Sequence, residues 1–143
     1  MLAPVTALFL ATLFAGAALY ITIVEQPARL LLANGPMLAQ WQPSYARALP
    51  IQGALAIAGG VAGLASWYVD GGLAWIIGSV VLLANWPVTV LVIFPVNKRL
   101  QAMRPEDADA ESRRLLVRWG RLHAVRSALG LAAALIFAGA IVF

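Results

Sequence analysis

The sequence predicts an all-α integral membrane protein: a four-helix bundle, with an amphipathic interfacial segment between helices 1 and 2 and a polar helical extension before helix 4. Three observations predict it. Of 143 residues, 62% are hydrophobic and 11% charged, against about a quarter charged in a soluble domain. Four apolar runs lie at about 2–24, 51–69, 73–96 and 123–143, each near the roughly 20 residues that cross a bilayer. The connections are short, so a single transmembrane domain, 1–143, accounts for the chain.

The first run, Leu2–Val24, is longer than a signal-peptide core and has no basic residue before it, so it reads as a retained transmembrane helix. Gly16, Ala17 and Ala18 permit close helix contact. Glu25 and Arg29 then have the i, i+4 spacing of a helical ion pair. Pro27, Pro36, Pro43 and Pro50 argue against one long helix over Gln26–Pro50. Within Met37–Leu49, the spacing of Leu38, Trp41, Tyr45 and Leu49 suits an amphipathic segment on the membrane surface. Trp41 and Tyr45 are then interface anchors or, less commonly, the walls of a substrate entrance.

The second run carries Gly59 and Gly63, a small-xxx-small pattern for helix packing. Asp70-Gly71-Gly72 is a tight turn, which makes helices 2 and 3 antiparallel neighbours. In the third run Asn85 lies about 18 Å beyond Leu73 at the helical rise, near mid-bilayer. Pro87 beside it loosens the helical ladder. Asn85, Thr89 and Asn97 share one face. Interhelical hydrogen bonding accounts for Thr89 as well as a ligand contact does, whereas Asn85 next to a proline points to a cavity. Pro95 marks the expected helix end. Pro105 followed by Glu106, Asp107, Asp109 and Glu111 reads as a helix start with acids at its positive end rather than as a metal cluster. Helix from Glu111 then leads into the final run.

On that last helix Trp119, His123, Arg126, Ser127 and Gly130 fall on one face. An arginine one turn inside an apolar run is costly in lipid and faces the protein interior or a wet cavity. The chain has no cysteine, which removes disulfides, thiolate metal sites and cysteine nucleophiles. Its single histidine excludes a multi-histidine metal site within one chain. All ten Lys and Arg lie on the first or third connection or just inside that side of the membrane. The positive-inside rule then places both long connections in the cytoplasm and both termini outside, as in a bacterial inner-membrane protein. The net charge of +4 and pI near 10.4 sit beside apolar runs, so anionic lipid headgroups, not nucleic acid, are the expected partner. A lipophilic small molecule is the other, and four helices leave room for a homo-oligomer.

Three stretches resemble one family: Glu25-Gln26-Pro27-Ala28-Arg29 closing the first helix, Pro95-Val96-Asn97-Lys98-Arg99-Leu100 closing the third, and Trp119-Gly120-Arg121-Leu122-His123-Ala124-Val125-Arg126 opening the fourth. Their order and topology resemble the anthrone oxygenase-like family of small four-helix membrane proteins, many of whose bacterial members have no known function. In its characterised fungal branch the resemblance implies oxidation of a tricyclic anthrone to an anthraquinone by O₂, without a metal or organic cofactor. Thr89, Pro95, Asn97, Trp119 and Arg126 fall on the family pattern, whereas His123 occupies a position that varies.

Three functions compete, since family does not fix chemistry. The first is a cofactor-independent oxygenase or oxidase of a lipophilic phenolic or anthrone-like substrate. His123 or Glu25 is its base, Arg126 with Asn97 holds the oxyanion, and Trp119 and Trp86 stack on the flat substrate. Asn85, Thr89, Trp41 and Tyr45 complete the substrate-binding set. The second is a haem- or metal-binding redox protein through His123, with Glu25 as the further ligand of a metal ion. The third is a non-enzymatic lipid- or small-molecule-binding module in which Arg126 and Glu25 form a structural ion pair.

Overall fold

The structure, a computed structural model, describes residues 2–143. Its four long helices are α1 (Leu2–Leu30), α2 (Asn34–Asp70), α3 (Leu73–Ala102) and α4 (Ala110–Val142), each long and apolar enough to cross a membrane. A single 3-10 turn, Pro105–Asp107, stands before α4. Each helix packs mainly on its neighbours in sequence, and α4 closes back on α1. The result is an up-down-up-down four-helix bundle. Outward-facing Phe9, Ile23, Val61, Ile77, Leu91 and Leu135 are exposed, as lipid-facing side chains are.

Helix α2 departs from the predicted arrangement. Met37–Leu49 does not lie on the membrane surface: it is the first half of a helix that runs unbroken for 37 residues through Pro43 and Pro50. A proline removes one backbone donor and crowds the carbonyl four residues back, but neighbouring helices can hold such a helix together. Here Met37, Leu38 and Trp41 are fully buried in a cluster with Ile93, Leu100, Leu116 and Trp119. Trp41 is therefore a core residue rather than an interface anchor.

Pro95 likewise does not end α3, which continues to Ala102. Two π turns explain how the helices pass their prolines. Ile21–Glu25 stands just ahead of Pro27, and Thr89–Ile93 just ahead of Pro95. In each, the residue before the proline donates back five positions, Gln26 to Ile21 and Phe94 to Thr89. The wider turn accommodates a residue that cannot donate. At Ala84 the ladder of α3 also loosens between Leu73–Leu83 and Asn85–Val88, three residues before Pro87, as expected.

Small residues set the helix spacing. A Cβ on Gly63 would come within 2.7 Å of the Phe137 ring, and one on Gly130 within 2.6 Å of the Phe14 ring. Gly16, expected to permit a close contact, faces open space. Gly71 and Gly72 take the positive φ of the predicted tight turn, 73° and 91°. Helix α4 starts at Ala110 rather than Pro105, because Asp109 caps it by accepting from the backbone of Glu111 and Ser112. The other acids of that connection pair at the surface, Glu111 with Arg99 and Glu106 with Arg104.

The core forms two apolar levels. One gathers Ala7, Ala11, Phe14, Trp75, Leu82 and Phe137, among others. The second gathers Ile21, Met37, Trp41, Ile93, Leu116 and Trp119 with their neighbours. Along α2, α3 and α4 the stretch between these levels carries buried polar side chains: Gln52, Asn85, Thr89, His123, Arg126 and Ser127.

Candidate functional site

The polar level draws on all four helices: Thr22 from α1, Tyr45 and Gln52 from α2, Asn85 and Thr89 from α3, His123, Arg126 and Ser127 from α4. The face predicted on α4 is buried as a unit, Trp119 and Gly130 included. Its histidine enters a short chain of hydroxyls. His123 Nδ1 lies 3.1 Å from Thr22 Oγ1, which lies 2.7 Å from Ser127 Oγ. Ser127 Oγ donates in turn to the His123 carbonyl at 3.4 Å.

An aromatic column leads away from the imidazole. Trp119 stacks on it with centroids 4.9 Å apart. Trp41 meets Trp119 edge-on at 5.6 Å and stacks on Tyr45 at 4.9 Å, nearly parallel. The Tyr45 hydroxyl accepts from Asn97 Nδ2 at 3.0 Å.

Arg126 is the residue that packing does not explain. It is 7% exposed, its Nε has no hydrogen-bond partner, and no carboxylate pairs with it among the described residues. Its nearest compensation is the Phe14 ring, 5.6 Å from Cζ to centroid. A buried cation without a partner costs several kcal/mol by order of magnitude, and polar groups left so are a mark of functional positions.

Two cavities meet at this guanidinium. One lies between Ile21, Arg29, Trp41, Tyr45, Gln52, Trp119, His123 and Arg126. The other lies between Gly53, Ala56, Asn85, Trp86, Thr89, Phe94 and Arg126. Leu49 lines both.

Glu25 stands apart from the site. Its carboxylate accepts from Arg29 Nη2 at 3.3 Å and from Ser44 Oγ at 3.4 Å, with the side chain 29% exposed. The ion pair is therefore Glu25–Arg29, as the i, i+4 spacing allowed, and not Glu25–Arg126. Asn97 is also displaced from its expected place. It is buried but lines neither cavity, and touches the site through Tyr45. Trp119 and Trp86 line different cavities, so they do not flank one common slot. As for a metal set, Thr22 takes His123 Nδ1 and Arg29 takes Glu25. No three of His, Cys, Asp and Glu gather among the described residues.

Arg29, Gln26, Ser44 and Gln52 belong to the surroundings although spacing did not mark them as site residues. Arg29 is 3% exposed, donates to Gln26 Oε1 at 2.8 Å and to Gln40, and lies over the Trp119 ring at 5.8 Å. Gln26 spans to α4 by donating to the Leu116 carbonyl at 2.8 Å. The available signal for Gln52 was an amide near the start of an apolar run; Ser44 carried none.

Comparison with known proteins comes to one family. A family model described as anthrone oxygenase matches residues 41–136. Anthrone oxygenase tpcL of Aspergillus fumigatus is 49% identical over 59 residues, which is 39% of this chain and 37% of that protein. The match thus spans little more than a third of the fungal relative. No solved structure matches.

Proposed function

The chain belongs to the anthrone oxygenase family, and from that premise we propose that it is a membrane oxygenase that oxidises a lipophilic phenolic or anthrone-like aromatic with O₂ and no cofactor. The observation that carries this reading is Arg126, a buried guanidinium without a carboxylate and bordered by two cavities. Loss of a proton from an anthrone-type carbon delocalises charge onto the carbonyl oxygen. A fixed cation beside that oxygen, away from water, stabilises the oxyanion far more than a solvated one does.

His123 is the proposed base. The reading takes the tautomer in which Nδ1–H donates to Thr22, Thr22 to Ser127, and Ser127 to the His123 carbonyl, an order that these contacts allow. The lone pair then sits on Nε2, available for a proton. Electrons pass from the carbanion to O₂ and a C–O bond forms, and reprotonation gives a hydroperoxide. Removal of the second proton from that carbon breaks the O–O bond and expels hydroxide, which leaves as water. One oxygen atom enters the product as a ketone and the other leaves. Trp41, Tyr45 and Trp119 give the cavity beside His123 an aromatic lining, while Glu25, engaged by Arg29, takes no part.

In this reading the site lies in the cytoplasmic half of a bacterial inner membrane, with both termini outside. The exposed Arg114, Arg118 and Arg121 of α4 meet anionic headgroups there. Support for the orientation is that all ten Lys and Arg belong to the first or third connection or lie just inside the apolar runs next to them.

The test uses purified protein in nanodiscs. Its optical spectrum and metal content come first, then oxygen uptake with an anthrone. The expected result is a colourless, metal-free protein that consumes one O₂ per anthraquinone formed. Arg126→Met should lose about 100-fold or more of that rate, the usual scale for a lost oxyanion donor. A Soret band or stoichiometric metal moves the function to the cofactor reading. Absence of oxygen uptake leaves the binding module.

A further inference from the structure

The cavity toward α3 has a polar requirement that nothing in the protein meets. Asn85 is 1% exposed. Its Nδ2 donates to the Leu82 carbonyl at 2.9 Å, while its Oδ1 has no partner. A buried amide oxygen left unpaired is costly, and the group that satisfies it is an O–H or N–H donor. Around Asn85 the lining is mostly apolar, Leu49, Ala56 and Phe94, with Arg126 the charged group.

Among the residues lining this cavity, Trp86 is an exposed one, at 41%, that reaches across to the neighbouring helix α2. A Cβ on Gly53 would lie 3.2 Å from its ring, so glycine is what lets the indole rest there. The hydrogen bond that holds it, Trp86 Nε1 to the Gly53 carbonyl, is long at 3.4 Å and correspondingly weak. Trp86 also sits between two loosened turns of α3, the break at Ala84 and the π turn from Thr89. Such turns let a short segment shift without unfolding its helix.

The geometry points to a donor-specific subsite: a lipophilic aromatic carrying a free hydroxyl enters from the bilayer between α2 and α3 past Trp86, donates that hydroxyl to Asn85 Oδ1, and lies against Arg126. The inference rests on the proposed reading in taking this ligand to be the substrate, with its hydroxyl at Asn85 and its oxyanion end at Arg126, the residue that borders both this cavity and the one His123 lines. Matching that one oxygen makes the site select against ethers of the same shape, because an ether leaves Asn85 Oδ1 buried and unpaired.

Equilibrium binding of 1-naphthol and of 1-methoxynaphthalene to the protein in nanodiscs tests this, with protein-free nanodiscs subtracted. Naphthol should bind about tenfold more tightly, the scale of one satisfied buried hydrogen bond against an unsatisfied one. Asn85→Leu should bring the two ligands to within about twofold. Trp86→Ala should keep the preference and speed both association and release. Gly53→Leu, which fills the cavity mouth and leaves Asn85 in place, should abolish naphthol binding, so the proposal stays testable where Asn85→Leu fails to fold. Equal binding of the two ligands by the unmodified protein overturns the subsite, as does undiminished naphthol binding by Gly53→Leu. No readout here depends on oxygen. Preference without oxygen uptake removes the oxygenase reading alone, and anthrone oxidation without preference removes the subsite alone.

Discussion

Two arginines, Arg29 and Arg126, are comparably buried, and their surroundings differ in kind. Arg29 has Glu25, Gln26, Gln40 and the face of Trp119. Arg126 borders both cavities, of which Arg29 lines one, and has the Phe14 ring but, among the described residues, no carboxylate or amide partner. Thermal unfolding in detergent should separate them. Arg126→Met removes a desolvated, unpaired charge and is expected to raise stability, by about 1–4 kcal/mol on the scale seen when buried ions give way to apolar residues. Arg29→Met strips Glu25 and Gln26 of their partner and should cost about 1–3 kcal/mol. Equal destabilisation by both would mean that Arg126 is a structural residue. Spacing alone could group His123, Arg126 and Ser127, because residues three and four apart on a helix share a face whatever packs on it. It could not separate the two arginines, since an i, i+4 pair with glutamate has the same spacing on a wetted surface as in a core.

At the scale of the helix, apolar length was readable and continuity was not. Pro43, Pro50 and Pro95 each carry a strong local penalty in a sequence, and each lies inside a helix here. What decided the matter was tertiary: the first half of α2 has a core to enter, and α3 has a π turn with which to meet its proline. The same holds for glycines, whose spacing marks a packing motif without saying which position is in contact. Gly63→Ala should cost about 1–3 kcal/mol, since the added methyl meets Phe137 and must push it aside. Gly16→Ala has open space before it and should be neutral or stabilising by up to about 1 kcal/mol through helix propensity. Unfolding midpoints of the two variants check both. A Gly63→Ala protein as stable as the parent would show that the α2–α3–α4 contact is looser than described.

For the molecule as a whole, the proposed orientation has a direct test because the chain lacks cysteine. Single substitutions Asp70→Cys and Arg104→Cys, expressed in a bacterial inner membrane, should react with a membrane-impermeant maleimide from opposite sides. Asp70→Cys is expected to label in intact spheroplasts and Arg104→Cys only after the membrane is opened; the reverse pattern inverts the topology. By itself the sequence determined that the protein is an all-α membrane bundle of four helices, because bilayer-spanning length and charge poverty are local, additive properties of a chain. It also determined which face of α4 is buried, because helical period is local too. Only the tertiary structure decided what those buried groups meet. It brought Thr22 to His123 across 101 positions of sequence, set Asn97 behind Tyr45, gave Glu25 to Arg29, and left Arg126 and Asn85 with unpaired atoms beside cavities. Those outcomes depend on how helices distant in sequence pack together, and no local pattern encodes the empty space that they leave between them.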